Sequence, residues 1–149
     1  TTADAGVLFW HGQGSEESGK GKDYLALVIN DGRVTFTYEL GSGPANITTP
    51  VKVNDGRSHT IVARRSGKYG SLEVDGFSFV EGESSGNLQM LNTKGNIYMG
   101  GLPDADLMTN GRFTSDFIGC IMDIFIQDTG PLDLGKEVIS GSNVRRCEV

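Results

Sequence analysis

Short apolar runs, each closed by a turn signal, are the feature that most restricts the fold of this 149-residue chain. The clearest case is the run 24–29 (YLALVI), which reaches Asp31-Gly32 and returns as 34–38 (VTFTY). Asp-Gly between two β-rich runs indicates a two-residue hairpin, because glycine adopts a positive φ at little cost. On the return strand apolar and polar residues alternate, so one face of this hairpin is predicted to be exposed to solvent.

The same pattern recurs from one end of the chain to the other. The remaining predicted strands are 6–10, 59–64, 71–74, 77–80, 96–100 and 117–126. No helical period lies between them, and only residues 135–139 could form a turn of helix. Strands at this regular spacing predict an all-β fold, an antiparallel two-sheet β-sandwich or a barrel. The composition is uniform, so we expect a single domain over residues 1–149.

Composition and charge exclude several classes of function. The net charge of −6 at pH 7 repels polyanions, so neither nucleic acid nor a glycosaminoglycan is predicted as a partner. No apolar run approaches the length of a membrane span, so membrane insertion is not predicted. The two histidines, His11 and His59, have no partners at a spacing typical of zinc or nucleophilic catalysis. The chain is therefore predicted not to be an enzyme, and His59, at the head of a strand, is predicted to be structural.

The two cysteines and one tripeptide bear on the cellular compartment. Cys120 and Cys147 would be free thiols in the cytosol or one disulfide outside the cell. The tripeptide Asn46-Ile47-Thr48 is an N-glycosylation sequon, which favours the extracellular alternative. The chain begins at Thr1 without methionine, so we expect a fragment of a longer secreted protein. In that case Cys120 is bonded to Cys147, and Asn46 is the candidate for a glycan.

Aspartates border several of the predicted strands. Asp31, Asp55 and Asp75 each precede a glycine and are explained by turn geometry. Asp23 does not precede glycine and stands at the head of the strand 24–29, where a carboxylate could reach a metal at the rim of a sheet. From the residues alone, a metal ligand and a solvated rim acid both remain open.

An ordered series of short motifs resembles the laminin G-like modules. The motifs are GVLFW (6–10), DYLAL (23–27), DGRV (31–34), YELGSG (38–43), NDG (54–56), GSLEVDG (70–76), IYMGGLP (97–103) and FIGC (117–120). Their order and spacing carry the resemblance, which is strongest to modules of basement-membrane proteoglycans. It implies two antiparallel sheets in a concanavalin-like jelly roll. The family has strands before the GVLFW segment, so we expect N-terminal strands to be missing here and a sheet edge to be exposed.

The resemblance also implies a calcium site on one rim of the sandwich. Position by position, its ligands would be the side chains of Asp23 and Asn92 and the main-chain carbonyls of Leu40 and Met90. Asp23 opens one strand and Leu40 closes its hairpin partner, so strand pairing is expected to bring the two to the same edge. An all-oxygen set with one formal negative charge suits weakly held calcium rather than zinc.

The implied function is calcium-dependent recognition in the extracellular matrix. Cell-surface receptors of the integrin or dystroglycan type and other matrix proteins are the expected partners. A carrier of steroid-like ligands is one alternative, which requires an apolar pocket open to solvent. A lectin or glycan-processing sandwich is another, and an enzyme of that kind requires paired carboxylates on a concave face. A plain scaffold domain whose calcium site is inactive is the third.

Overall fold

A computed structural model describes residues 1–12, 23–91, 93, 95–127 and 129–148 of the chain. These residues form eight strands and two short helices: β1 (Gly6–Gly12), β2 (Tyr24–Asn30), β3 (Arg33–Glu39), β4 (Pro44–Lys52), β5 (Ile61–Ser66), β6 (Tyr69–Val74), β7 (Ser78–Glu83), β8 (Ile97–Met99), α1 (Ala105–Thr109) and α2 (Leu134–Glu137). The strands lie in two antiparallel sheets, ordered β4-β3-β2-β1-β8 and β5-β6-β7. The predicted all-β, two-sheet antiparallel β-sandwich is confirmed.

The chain divides into two compact units, Thr1–Gly119 and Cys120–Val149. The first unit contains both sheets and α1. The second contains α2, close to where the sequence predicts a turn of helix, and a disulfide.

The hairpin of β2 and β3 has the predicted turn. Asn30 pairs with Arg33, and the two residues between them, Asp31 and Gly32, have φ values of 50° and 73°. Positive φ at both central residues is what a type I′ turn requires. The ladder of β2 and β3 keeps one register as far as the pair Tyr24 and Glu39. The position of each residue at the open end of the hairpin is therefore well defined.

The main core lies between the two sheets and comes from alternate residues of the strands. Its most buried members are Val34, Phe36, Tyr38, Ala45, Ile47, Leu72 and Val74. The phenol of Tyr38 is fully buried, and its Oη donates a 2.6 Å hydrogen bond to the carbonyl of Lys68 in the opposite sheet's first hairpin. This bond satisfies the buried polar tip of the ring, which would otherwise weaken the core.

A second, smaller core covers the outer face of the five-stranded sheet. Trp10 and Val28 are buried there, and Met108 of α1 and Phe113 pack against them. The ring of Tyr24 stacks on Trp10 at a centroid distance of 4.7 Å. The segment that carries α1 therefore covers part of this face.

The sequence pattern does not reveal β4 or α1. Pro44 and Pro50 interrupt the strand signature of β4, but β4 is an edge strand, where proline is tolerated because one side makes no ladder. α1 is a five-residue helix whose N-cap residue, Asp104, accepts a hydrogen bond from the amide of Leu107. Such a short helix has too few turns to show a period in the sequence.

The predicted strand over residues 117–126 is wrong. In this segment, all of which the structure describes, Ile126 forms one isolated bridge with Thr129 and no ladder follows. Gly119 and Asp123 have φ values of 153° and 53°. Extended strands need negative φ, so these two residues interrupt the apolar run despite its composition.

Cys120 and Cys147 are bonded to each other, with their Cα atoms 5.6 Å apart, inside the second unit. They are separated by 27 positions, and closing a loop of this length is expected to stabilise the unit by about 3 kcal/mol. We therefore expect Cys147→Ser to make residues 121–146 more sensitive to limited proteolysis, with Ser140→Ala as the control. Cleavage of Cys147→Ser at the wild-type rate, or two free thiols in the native secreted protein, would contradict this expectation.

Candidate metal centre at the rim of the sandwich

Asp23 and Leu40 lie at the same edge of the five-stranded sheet. Tyr24 and Glu39 form the last pair of the β2–β3 ladder, Asp23 directly precedes Tyr24, and Leu40 directly follows Glu39. Strand pairing therefore brings Asp23 and the main chain of Leu40 to the same end of the hairpin. Leu40 itself is buried in the main core, which anchors this end of the hairpin.

A third segment of the chain, the one that contains Leu88, also approaches this end of the hairpin. A β carbon built on Gly41 would lie 3.0 Å from Leu88 Cδ1 and 4.0 Å from Asp23 Oδ1. Gly41 has no β carbon and so leaves room for this close approach, and its φ of 109° is one that glycine adopts readily. Met90 follows Leu88 by two residues and has 85% of its surface exposed. The structure thus brings Asp23, the Leu40–Gly41 turn and the segment that carries Met90 to one rim.

The fourth predicted ligand, Asn92, lies outside the described residues. Within the described ranges, no group of three or more histidine, cysteine, aspartate or glutamate side chains could hold a metal ion. A centre built from imidazoles, thiolates or several carboxylates is therefore not formed by these residues. One carboxylate combined with main-chain carbonyls is a different donor set, and all-oxygen sets of this kind fit calcium.

Glu39 supports the turn that carries Leu40, a role that the sequence interpretation missed. Its Oε1 accepts a 3.0 Å hydrogen bond from the amide of Gly43 and so closes the turn. Its Oε2 is buried and has no hydrogen-bond partner among the described residues. The Glu39 side chain therefore supports the turn that follows Leu40, next to the rim. The signal in the sequence was a glutamate at the end of a strand, four residues before a glycine.

Asn46 lies on β4 with its side chain exposed, between the buried residues Ala45 and Ile47. It belongs to a network that the sequence did not indicate. Arg112 Nη2 donates a 3.0 Å hydrogen bond to Asn46 Oδ1, and Arg112 Nη1 donates a 2.6 Å bond to Tyr24 Oη. The guanidinium also lies 4.8 Å from the centre of the Phe113 ring. No spacing rule connects residues 46 and 112.

His59 joins two turns of the chain. Its Nδ1 lies 2.7 Å from Asp75 Oδ2, and its Nε2 lies 2.8 Å from Asp55 Oδ1. The hydrogen bond to Asp75, together with the one to Asp55, raises the pKa of His59 above its ordinary value. The bond from His59 also lowers the pKa of both Asp55 and Asp75. The prediction of a structural histidine is confirmed, since both ring nitrogens are engaged by protein groups.

Comparison with known proteins identifies the family. Residues 1–130 match the model of the Laminin G domain. The chain belongs to the laminin G domain family. Two solved structures have the same fold: domains LG4-5 of the mouse laminin alpha1 chain (TM-score 0.66, 24% identity, 79% of this chain and 30% of that one) and the LG1-3 region of the laminin alpha2 chain (TM-score 0.60, 27% identity, 69% and 20%).

Curated relatives of this laminin G module are much longer than the module itself. It is 38% identical over 148 residues to the basement membrane proteoglycan of Caenorhabditis elegans, covering 99% of this chain and 4% of that protein. It is 40% identical over 154 residues to the basement membrane-specific heparan sulfate proteoglycan core protein of Mus musculus, again covering 99% and 4%. With human pikachurin the values are 33% identity over 147 residues, 99% and 14%.

Family membership decides the general class of activity. Laminin G domains of matrix proteoglycans are non-enzymatic binding modules, so this chain is a binding module and not an enzyme. Among the residues that the structure describes, no helix combines the length and apolar character needed to cross a bilayer.

Proposed function

We propose that this laminin G module is a calcium-dependent recognition module of a basement-membrane proteoglycan. Its partners would be cell-surface receptors of the integrin or dystroglycan type and matrix proteins, which bind at the Asp23 rim. The module acts outside the cell, in the extracellular matrix, because its relatives at 38% and 40% identity are proteoglycans of the basement membrane. The coarser role as a matrix recognition domain follows from the same family membership.

The main observation in support of the proposal is that three segments of the chain, those of Asp23, Leu40 and Leu88, approach one another at Gly41. The Asp23 carboxylate lies 4.0 Å from the point where a β carbon of Gly41 would stand, beside the main chain of Leu40, and Leu88 lies 3.0 Å from the same point. The Asp23 side chain and the carbonyls of Leu40 and Met90 would hold the cation, with the Asn92 side chain as a further ligand. Calcium, when bound, would offer open coordination positions to an acidic group of the partner.

A site with few protein ligands is expected to bind calcium weakly. Extracellular modules work at Kd values of about 10⁻⁴ to 10⁻³ M, which matches the calcium concentration of their surroundings. The net charge of −6 fits a cation-bridged contact, because without the cation an acidic partner would be repelled. The same charge argues against direct binding of glycosaminoglycans.

Calcium titration of matched variants tests the proposal. Asp23→Asn removes the only formal negative charge of the ligand set, at one end of the β2–β3 hairpin. It should weaken calcium binding so far that calorimetry or chemical shifts show no saturation at millimolar calcium. Asp31→Asn makes the same change in the turn at the other end, where asparagine tolerates the positive φ, and should bind as the wild type does. Met90→Leu should also bind normally, since only the carbonyl of residue 90 is used, whereas Asn92→Ala should bind more weakly.

Thermal stability gives a second readout. Calcium should raise the free energy of unfolding by RT ln(1 + [Ca²⁺]/Kd), which reaches about 2.7 kcal/mol only at 100-fold the Kd. The shift in Tm at millimolar calcium should therefore be small in the wild type and absent in Asp23→Asn. If the wild type neither binds calcium nor changes its Tm, or if Asp23→Asn behaves like Asp31→Asn, the calcium rim is wrong and a scaffold role remains.

A further inference from the structure

We propose that Asn46 carries an N-linked glycan and that Arg112 orients its amide, so that the glycan projects from the outer face of β4. Asn46 lies in the sequon Asn46-Ile47-Thr48, which gives the residue its acceptor chemistry. The proposal does not depend on the calcium rim, because it rests on a different face of the sheet and on different residues.

The position of Asn46 in the strand leaves room for a bulky group. Along β4 the side chains of Ala45, Ile47 and Thr49 are buried, and those of Asn46 and Thr48 are exposed. Strand residues alternate between the two faces of a sheet, so the sequon residues Asn46 and Thr48 share the outward face. β4 is the edge strand of its sheet, and a glycan on it would add bulk beside an edge that could otherwise pair with another chain.

Arg112 forms a hydrogen bond with the oxygen of the Asn46 amide, Oδ1. Its Nη2 donates to Asn46 Oδ1 at 3.0 Å, while its Nη1 donates to Tyr24 Oη at 2.6 Å. Tyr24 in turn stacks on the buried ring of Trp10, and the guanidinium lies 4.8 Å from the centre of the Phe113 ring. Arg112 is therefore held by the Tyr24 hydroxyl and the Phe113 ring and presents a fixed donor to Oδ1.

The nitrogen of the Asn46 amide, Nδ2, is the atom to which the glycan is attached. Oδ1 and Nδ2 branch in different directions from Cγ, so a hydrogen bond that fixes Oδ1 beside Arg112 directs Nδ2 away from it. In the modification, the bond between the sugar C1 of a lipid-linked oligosaccharide and its diphosphate oxygen breaks and a C1–Nδ2 bond forms. Nδ2 gives up one proton, and the lipid diphosphate leaves. Oδ1 remains an acceptor afterwards, so the bond from Arg112 persists in the glycosylated protein.

Secretion from animal cells and intact-mass measurement test the modification. The wild type should lose a glycan mass on treatment with peptide N-glycosidase F, which converts the glycosylated Asn46 to aspartate and so marks the site. Thr48→Ser keeps the sequon and the hydroxyl that lies 2.8 Å from Thr35 Oγ1, and it should remain glycosylated. Asn46→Gln and Thr48→Ala should be unmodified. A wild-type mass equal to that of the bare chain overturns the proposal.

The role of Arg112 has its own readout. The glycosidase must reach the amide, so native Arg112→Ala should be deglycosylated several-fold faster than the wild type, at equal initial occupancy. Arg64→Ala, an exposed arginine on the three-stranded sheet, should react like the wild type. Arg112→Lys keeps the charge but lacks the planar fork of the guanidinium, so its rate should be intermediate. Tm values should establish that all three variants are folded. Equal native rates for Arg112→Ala and the wild type would overturn the orienting role.

Discussion

Replacing Gly70 with alanine is expected to destabilise the first unit by about 1–2 kcal/mol. A β carbon at this position would lie 2.8 Å from Tyr38 Cε1, 2.9 Å from Tyr38 Oη and 2.9 Å from Ile47 Cδ1. Both neighbours are buried in the opposite sheet and cannot move aside. Overpacking of this kind costs about 1–3 kcal/mol. The smaller conformational freedom of alanine in the unfolded chain offsets only about 0.4–1 kcal/mol of that.

Chemical denaturation of Gly70→Ala, compared with a control on the other face of the same strand, measures this effect. Ser71→Thr adds one methyl group at the next residue, which points away from the core, and should stay within about 0.5 kcal/mol of the wild type. Shortening the opposing side chain with Ile47→Val should cost less in the Gly70→Ala background than alone, because it relieves one of the contacts. Unchanged stability of Gly70→Ala would mean that the sheets are not this close.

Thermal stability is expected to fall as the pH rises through the raised pKa of His59, because the imidazolium loses its charge. Both ring nitrogens face carboxylate oxygens, at 2.7 and 2.8 Å, and only the imidazolium can donate from both. Since the folded pKa of His59 is raised, mainly by Asp75, its contribution is fully present below the unfolded value of about 6.5. That contribution is lost as the pH rises through the folded pKa. A decrease in Tm between pH 6 and pH 9 is the expected result.

The two carboxylates of the same cluster make the stability fall as the pH decreases into the acid range. The pKa values of Asp55 and Asp75 are lowered, chiefly by the bonds from His59, so their contribution is present above the unfolded values and is lost as the pH falls through the folded ones. His59→Gln should remove the alkaline decrease, since a neutral amide does not titrate. His11→Gln, which changes the only other histidine, should keep it. An alkaline decrease of full size in His59→Gln would rule out this assignment.

Local signals in the sequence determined much of the five-stranded sheet and half of the candidate metal site. Asp31-Gly32 specifies the turn, and alternation specifies the register, so the neighbourhood of Asp23 and Leu40 follows from one hairpin. The fold class follows from repeating such units. Each of these inferences involves residues close in the chain, whose pairing depends on backbone conformation alone.

Only the tertiary structure decided the remaining features. Arg112 meets Asn46 across 66 positions, and Gly70 meets Tyr38 across the core. His59 contacts Asp75 because His59 precedes β5 and Asp75 follows β6, and the paired ends of these two strands meet at Ile61 and Val74. The run 117–126 has the composition of a strand, yet left-handed residues interrupt it. Composition and spacing indicate which conformation each segment prefers on its own. Contacts between distant segments depend instead on how the sheets pack, which is set by the summed burial of many side chains.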